Sequence, residues 1–257
     1  MIKLEIDDPR LDPFRDLKGR DAFTEGTLVA ESSKVIQKLL DTSTAPLALL
    51  ASERDIESCP FDHTKFPQVF LLSDSEIKKL VGYHYHQGFI ALATRAAATP
   101  LDALGPHVLI LNGITSPENV GTLIRTAAGL GITDVLLDSK TCHPHVRRAI
   151  RVSMGNIFYM RWHQTYDLPG AIKKLNQRGI NVIGSANDPG SLSINDFSWK
   201  GQGQAIVIGS EGHGMDDAVR VACEQLVYIP INEKVAHLNA AGAGAILMHE
   251  MLRVRRA

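Results

Sequence analysis

The sequence predicts an α/β protein: a parallel sheet with helices on both faces, preceded by a smaller alternating unit. Three observations predict it. Continuous apolar runs such as Val108-Leu109-Ile110-Leu111 and Ala205-Ile206-Val207-Ile208 suit strands covered on both sides. From His107 onward these runs alternate regularly with stretches of helical spacing. Between Arg95 and Pro106 a small-residue segment holding Pro100 and Pro106 interrupts both periodicities, because proline discourages helix and strand alike. The reading is therefore a unit over residues 1–98, a linker over 99–106 and a second unit over 107–257.

In the first unit, Leu28 to Leu40 has helical spacing, and Pro46 to Leu50 reads as a short buried strand. Phe66 to Leu72 is a second strand, Ser75 to Val81 a short helix and Gly88 to Ala93 a third strand. That order fits a small α/β/α sandwich. In the second unit, strands fall near His107–Leu111, Asp134–Leu137, Ile157–Trp162, Asn181–Gly184, Ala205–Ile208 and Val227–Ile231. Helices fall near Val120–Leu130, His145–Ser153, Leu168–Arg178 and Asp216–Gln225, and a last one runs from about Asn239 to Arg255. Pattern alone gives an open Rossmann-like sheet, since chain topology rarely admits knots.

Composition narrows the function classes. The chain has 257 residues, 44% hydrophobic and 21% charged, which suits one large or two modest soluble domains. Its 27 basic and 28 acidic residues leave a net charge of −1, so any nucleic-acid surface must be local. The cysteines Cys59, Cys142 and Cys223 are widely spaced and make no CxxC pair, which fits core or surface thiols in a reducing cytoplasm. The acidic start has no signal-peptide pattern, and no run approaches the ~18 apolar residues of a membrane helix.

The chemistry concentrates in three segments. Ile208-Gly209-Ser210-Glu211-Gly212-His213-Gly214-Met215 reads as a buried strand ending in a glycine turn that holds one carboxylate. Ile229-Pro230-Ile231 and then His237-Leu238-Asn239-Ala240-Ala241-Gly242-Ala243-Gly244-Ala245 read as a strand, a polar loop and a helix start of Ala and Gly. Upstream, the run from Asn112 to Ala128 places Asn119 and Arg125 in the helix after another buried strand. Glycine-softened turns at the ends of parallel strands let backbone wrap a small cofactor. The two helix glycines cost roughly 1 kcal/mol each relative to alanine. Their presence points to a close approach by a cofactor or threaded loop, or to close helix packing. Asn119 either caps its helix, with Ser116-Pro117-Glu118 as the alternative start, or orients Arg125. Arg125 stands among apolar neighbours, where a guanidinium is either paired or functional, its fork suiting phosphate, or snorkels at the helix surface.

In order and spacing, these three segments resemble the signature motifs of the SpoU (TrmH-like) class of SPOUT RNA methyltransferases, over roughly residues 107 to 252. The resemblance implies a C-terminal trefoil knot, a homodimer, and methylation of a ribose 2′-hydroxyl of rRNA or tRNA with S-adenosylmethionine. It implies that Gly209, Ile229 and Leu238 contact S-adenosylmethionine, largely through backbone. Asn119, Arg125, Glu211 and Asn239 are the implied catalytic positions. At 237 the sequence departs: His237 stands where the family has serine in a Ser-Leu-Asn word. The imidazole replaces the hydroxyl's polar contact, assists in removing the ribose proton, or marks only a subtler substrate preference. A guanidinium is an awkward base, so Arg125 is read as a phosphate clamp and electrostatic stabiliser. Leu80-Val81-Gly82 and Gln87-Gly88-Phe89 resemble the close of the accessory RNA-binding domain often found ahead of SpoU domains, which favours rRNA over tRNA.

The remaining readings are narrower. Arg147, Arg148 and Arg151 on one helix form a basic face, either for RNA phosphates or simply for solvent. The C-terminal Arg253, Arg255 and Arg256 are a second such group. The histidines, including His143-Pro144-His145 and His84-Tyr85-His86, lack a third ligand at metal spacing, so no metal is expected. A dinucleotide-dependent oxidoreductase is disfavoured, since no GxGxxG follows a first strand. The class alternative is a catalytically silent RNA-binding or assembly protein, supported by His237 and opposed by the retained Asn119, Arg125, Glu211 and Asn239.

Overall fold

Two sheets organise the chain in the computed structural model, which describes residues 1–18, 26–83, 88–199, 203–232, 234–235 and 237–253. His84-Tyr85-His86, Gln87, Arg255 and Arg256 lie outside the described residues. The chain divides into two compact units, residues 1–97 with 143–158, and residues 98–142 with 159–257. It therefore crosses between units after 97, after 142 and after 158, whereas the linear division by sequence contains only the first crossing. Among the described residues no helix is long and apolar enough to cross a membrane.

The first unit holds β1 (Ile2–Lys3), β2 (Thr27–Glu31), α1 (Ser33–Leu40), β3 (Pro46–Ser52), α2 (Glu53–Glu57), β4 (Gln68–Leu72), α3 (Asp74–Val81) and β5 (Phe89–Thr94). Its mixed sheet runs β1-β4-β3-β5-β2, with β3 parallel to β4 and antiparallel to β5. The expected helix over Leu28–Leu40 is two elements instead. Thr27–Glu31 is rich in strand formers and pairs with β5, and Ser32 at φ 76° breaks the chain before α1. Helix α3 is set by a capping box between Ser73 and Glu76 and stopped by Gly82 at φ 79°. Phe14, Leu50, Phe70, Ile77 and Ile90 fill the core.

The second unit begins with β6 (His107–Asn112), α4 (Pro117–Leu130) and β7 (Asp134–Asp138). Helix α5 (Arg147–Val152) follows in sequence but belongs to the first unit. Then come β8 (Arg161–Thr165), α6 (Leu168–Gln177), β9 (Ile180–Ser185), β10 (Leu192–Ser193), β11 (Gly203–Gly209), α7 (Asp217–Ala222), β12 (Gln225–Tyr228) and α8 (Ala240–Arg253). The sheet runs β10-β12-β9-β11-β6-β7-β8, and its pairings are parallel. Successive strand residues face opposite sides. Val108, Ile110, Val182, Ala205 and Val207 meet α6 and α7 in one core, while Ile208 faces Gly244 of α8 on the other side. Both faces are thus covered, as the continuous apolar strands require.

Two expected strands are corrected. Ile157 is buried in a 3-10 turn at Asn156–Tyr159, and the strand is the more polar Arg161–Thr165, paired with β7 at the sheet edge. Strand β12 ends at Tyr228 rather than Ile231, since Pro230 has no N–H to offer a ladder. Ile229 and Ile231 are released beyond the sheet.

Candidate active site

Parallel strands deliver their carboxyl ends to one edge of the sheet, and the loops after β6, β9, β11 and β12 gather there. The loop after β11 is a tight reversal in which Ser210 and Gly214 exchange backbone hydrogen bonds of 3.0 and 2.9 Å. Gly214 takes φ 69°. A β-carbon at Gly209 would sit 2.4 to 2.6 Å from the backbone of Gly214 and Met215, so only glycine lets the turn fold back on its strand.

That turn presents Glu211, and three donors converge on its Oε1. Asn119 Nδ2 donates at 3.0 Å, Asn239 Nδ2 at 2.5 Å and the Ala240 N–H at 3.2 Å. Asn239 Nδ2 also donates to Asn119 Oδ1 at 3.1 Å. Asn239 Oδ1 accepts from the N–H groups of Ala241 and Gly242 at 2.9 and 3.2 Å, which caps α8. Glu211 at a helix N-terminus is favoured by the same dipole. The three segments singled out by sequence therefore meet at one carboxylate. Asn119 does not cap α4; Ser116 does, its Oγ accepting from the Asn119 N–H at 3.3 Å with Pro117 in the first turn.

A cavity of about 460 Å³ opens beside this junction. Gly209, Glu211, Ile229, His237 and Leu238 line it together with Asp188, His213 and Arg220. Asp188 and Arg220 form an ion pair across its wall. The size and mixture suit a medium-sized polar ligand: apolar Ile208, Ile229 and Leu238 beside carboxylates, a guanidinium and open glycine backbone. Such a lining fits S-adenosylmethionine, which combines an aromatic base, sugar hydroxyls and a zwitterionic amino acid.

Arg125 takes the surface alternative. It is exposed on α4, its apolar neighbours Leu123 and Ile124 facing the core, and it pairs with none of the described residues. Burial therefore gives no argument for its role. The glycines of α8 also separate: a β-carbon at Gly244 would lie 2.3 Å from Leu123 Cδ2, which is close packing against α4, whereas Gly242 faces open space. Among the described residues neither glycine meets a threaded loop, and neither lines the cavity.

Sequence reasoning missed a polar junction behind the site. Asn112, 2% exposed at the end of β6, donates to Asp138 at 2.7 Å and accepts from the Asp216 N–H at 2.7 Å. Asp138 also accepts from the N–H groups of Gly113, Lys140 and Thr141 at 3.0, 3.1 and 2.7 Å. Lys140 pairs with Asp216 at 2.9 Å and, with Asn112, holds that carboxyl below its ordinary range. The network fixes the far end of the Glu211 turn. Its signal was a polar residue closing an apolar strand, at Asn112 and again at Asp138.

The basic helix face divides. Arg148 and Arg151 are exposed, whereas Arg147 is 11% exposed and pairs with Glu31, itself 2% exposed, at 2.9 Å. Its guanidinium also lies 5.1 Å from the Tyr83 ring centre, and Tyr83 donates to Glu31. Arg147 is thus an anchor inside the first unit and is withdrawn from the RNA-facing set.

A model of the SpoU rRNA Methylase family matches residues 106–249. The chain is 32% identical over 188 residues to a 23S rRNA (guanosine-2′-O-)-methyltransferase RlmB of a Burkholderia species, covering 70% of this chain and 75% of that one. It is 27% identical over 258 residues to an uncharacterised tRNA/rRNA methyltransferase of Mycobacterium bovis, covering 96% and 90%. The structure of an AdoMet-bound rRNA methyltransferase from Sinorhizobium meliloti superposes with a TM-score of 0.84 at 21% identity, covering 98% of each chain.

Proposed function

The chain belongs to the SpoU rRNA methylase family, and from that premise we propose that it is an S-adenosylmethionine-dependent RNA methyltransferase acting on a ribose 2′-hydroxyl. The observation that carries the reading is the Asn119–Glu211–Asn239 junction, set beside a cavity lined by Gly209, Ile229 and Leu238. These three hold the cofactor through backbone, and Asp188 and Arg220 flank it. When bound, S-adenosylmethionine supplies an electrophilic methyl group on a sulfonium sulfur.

The chain's own residues do the rest. Glu211, with Asn119 and Asn239, fixes the glycine turn and the start of α8 on either side of the reacting groups. Arg125, exposed and paired with none of the described residues, clamps a substrate phosphate and stabilises developing charge. A ribose hydroxyl is a weak nucleophile until its proton leaves. His237 on the cavity wall receives that proton.

The finer features follow the same reading. Strand β12 lies between β9 and β10, which are joined by the short segment 186–191, so the chain beyond β12 leaves from inside a loop. This arrangement supports a trefoil knot. The second unit is the catalytic domain, the first an accessory RNA-binding domain, and the enzyme acts as a homodimer in the cytoplasm, on rRNA in preference to tRNA.

The test is methyl transfer from labelled S-adenosylmethionine into unmodified total RNA, separated into rRNA and tRNA. Label should enter rRNA as a 2′-O-methylnucleoside and fall by at least about a hundredfold with Arg125→Ala. His237→Ser should lose the acid limb of the pH–rate profile. Absence of label from every RNA fraction, with cofactor binding intact, would overturn the proposal; an unchanged pH profile would remove His237 as base.

A further inference from the structure

We infer that Asp188 recognises the ribose of S-adenosylmethionine, its carboxylate accepting from the sugar hydroxyls, and that Arg220 is the positioning residue that aims it. The inference rests on the methyltransferase reading and deepens it by giving the cavity's ion pair a task.

Asp188 and Arg220 face the same cavity from two separate elements. Asp188 opens a tight turn after β9 in which Pro189 and Gly190 are the middle residues and Gly190 takes φ 91°. The Ser191 N–H donates to the Asp188 carbonyl at 3.0 Å, and the Asp188 N–H donates to Ser191 Oγ at 3.1 Å. The turn therefore holds its first residue at both backbone groups. Arg220 stands on α7, and its N–H donates at 3.0 Å to the carbonyl of Asp216, itself tied to Asn112. At the other end of α7, Asn176 Nδ2 donates to the Ala222 carbonyl at 3.1 Å.

Stability gives little reason for such a pair. The two side chains are 25% and 31% exposed, and ion pairs that water reaches contribute little. The pair also uses only one carboxylate oxygen. Arg220 Nη2 donates to Asp188 Oδ2, and among the described residues nothing donates to Oδ1. A looser contact from Arg220 to Asp217, at 3.6 Å, lies in solvent. A positioned carboxylate oxygen on a cavity wall suits hydroxyl or ammonium donors. S-adenosylmethionine carries both, on its ribose and on its amino-acid end.

Strand order separates the two. Strands β12, β9 and β11 are neighbours at about 5 Å spacing, and residues just beyond their carboxyl ends line the cavity. Ile229 follows β12, Asp188 follows β9 and Glu211 follows β11. Ser185 pairs with Val227, and the Ala186 N–H donates to the Val227 carbonyl at 3.0 Å, which keeps the first two loops side by side. Base, ribose and sulfonium come in the same order along the cofactor. With the base against Ile229 and the methyl group at the Glu211 junction, the ribose falls at Asp188. The amino-acid end lies beyond the sulfonium and so past Glu211.

The experiment is calorimetric binding of four ligands to the full-length protein: S-adenosylhomocysteine, its 2′-deoxy and 3′-deoxy analogues, and 5′-methylthioadenosine, which lacks the amino acid. The wild type should bind at least one deoxy analogue about tenfold more weakly than S-adenosylhomocysteine. In Asp188→Ala that hydroxyl preference should vanish, while the preference for S-adenosylhomocysteine over 5′-methylthioadenosine holds. Arg220→Gln should cut the hydroxyl preference to roughly threefold, and Arg220→Lys, which keeps the charge, should restore it. A merely structural role would weaken all four ligands alike, so unchanged ratios in Asp188→Ala would overturn the assignment. A wild type indifferent to both hydroxyls would overturn it without any variant. Loss of the amino-acid preference in place of the hydroxyl preference would overturn it too, moving the pair to the other end of the cofactor. Failure of the wild type to bind S-adenosylhomocysteine at all would overturn the methyltransferase reading with it.

Discussion

Glu211 is useful to its site because of what donates to it. Its Oε1 collects two side-chain amides and a helix N–H from segments more than a hundred residues apart in the chain. A carboxylate so surrounded is oriented, and it in turn holds both asparagines. Replacing Asn119 by Asp removes a donor and sets a second carboxylate beside the first, whereas Ala removes the donor and the Oδ1 that accepts from Asn239 but adds no charge. Asn119→Asp should therefore lose about tenfold more methyl-transfer activity than Asn119→Ala, measured as kcat/KM for RNA; equal losses would mean the amide serves only as filler. Glu211, Gly209 and Asn239 were legible because short words fixed their turn and cap. The partner of Asn119 was not, since nothing local in a sequence says which distant carboxylate an amide will meet. Arg125 was legible only as a pair of alternatives: apolar neighbours leave open burial or the helix surface, and the surface holds because a helix turns its neighbours away from each other.

At the level of elements, strands buried on both faces were the easiest features to read. Their apolar runs leave no other stable placement in water. The failures lie where one residue overrides the run: Ser32 with positive φ divides β2 from α1, and Pro230 ends β12. Packing of α8 against α4 turns on a smaller detail. At Gly244, alanine would gain up to about 1 kcal/mol of helix propensity, but its methyl would overlap Leu123, fully buried at that contact, at about 1–3 kcal/mol. Gly244→Ala should thus destabilise the protein by about 1 kcal/mol in urea unfolding, and adding Leu123→Val should recover part of the loss. A stabilised Gly244→Ala protein would show that the helices separate freely.

For the molecule as a whole, titration should be governed partly by the segment inserted into the first unit. His143 and His145 are buried there, and desolvation, reinforced by Arg95, lowers both to about 3. In the unfolded chain they titrate near about 6.5. Between those values the unfolded state takes up protons that the folded state refuses, so stability is complete above the higher value and drains as pH falls. The pH slope of unfolding free energy between about pH 4 and 6 should lose about one proton in His145→Phe; an unchanged slope would show that His145 takes up its proton while folded. The two-part organisation was visible in the proline-rich break near residue 100, but the insertion was not, because residues 143–158 carry no boundary signal of their own. That insertion also sets an order of birth. As the ribosome releases the chain, the first unit lacks the Arg147 that answers its buried Glu31 until residues 98–142 of the other unit have been made. Synthesis and completion thus run out of step: residues 1–97 are finished as a unit only after residues 98–142 of the other unit have been made, and a message cut between them would yield an unfinished piece.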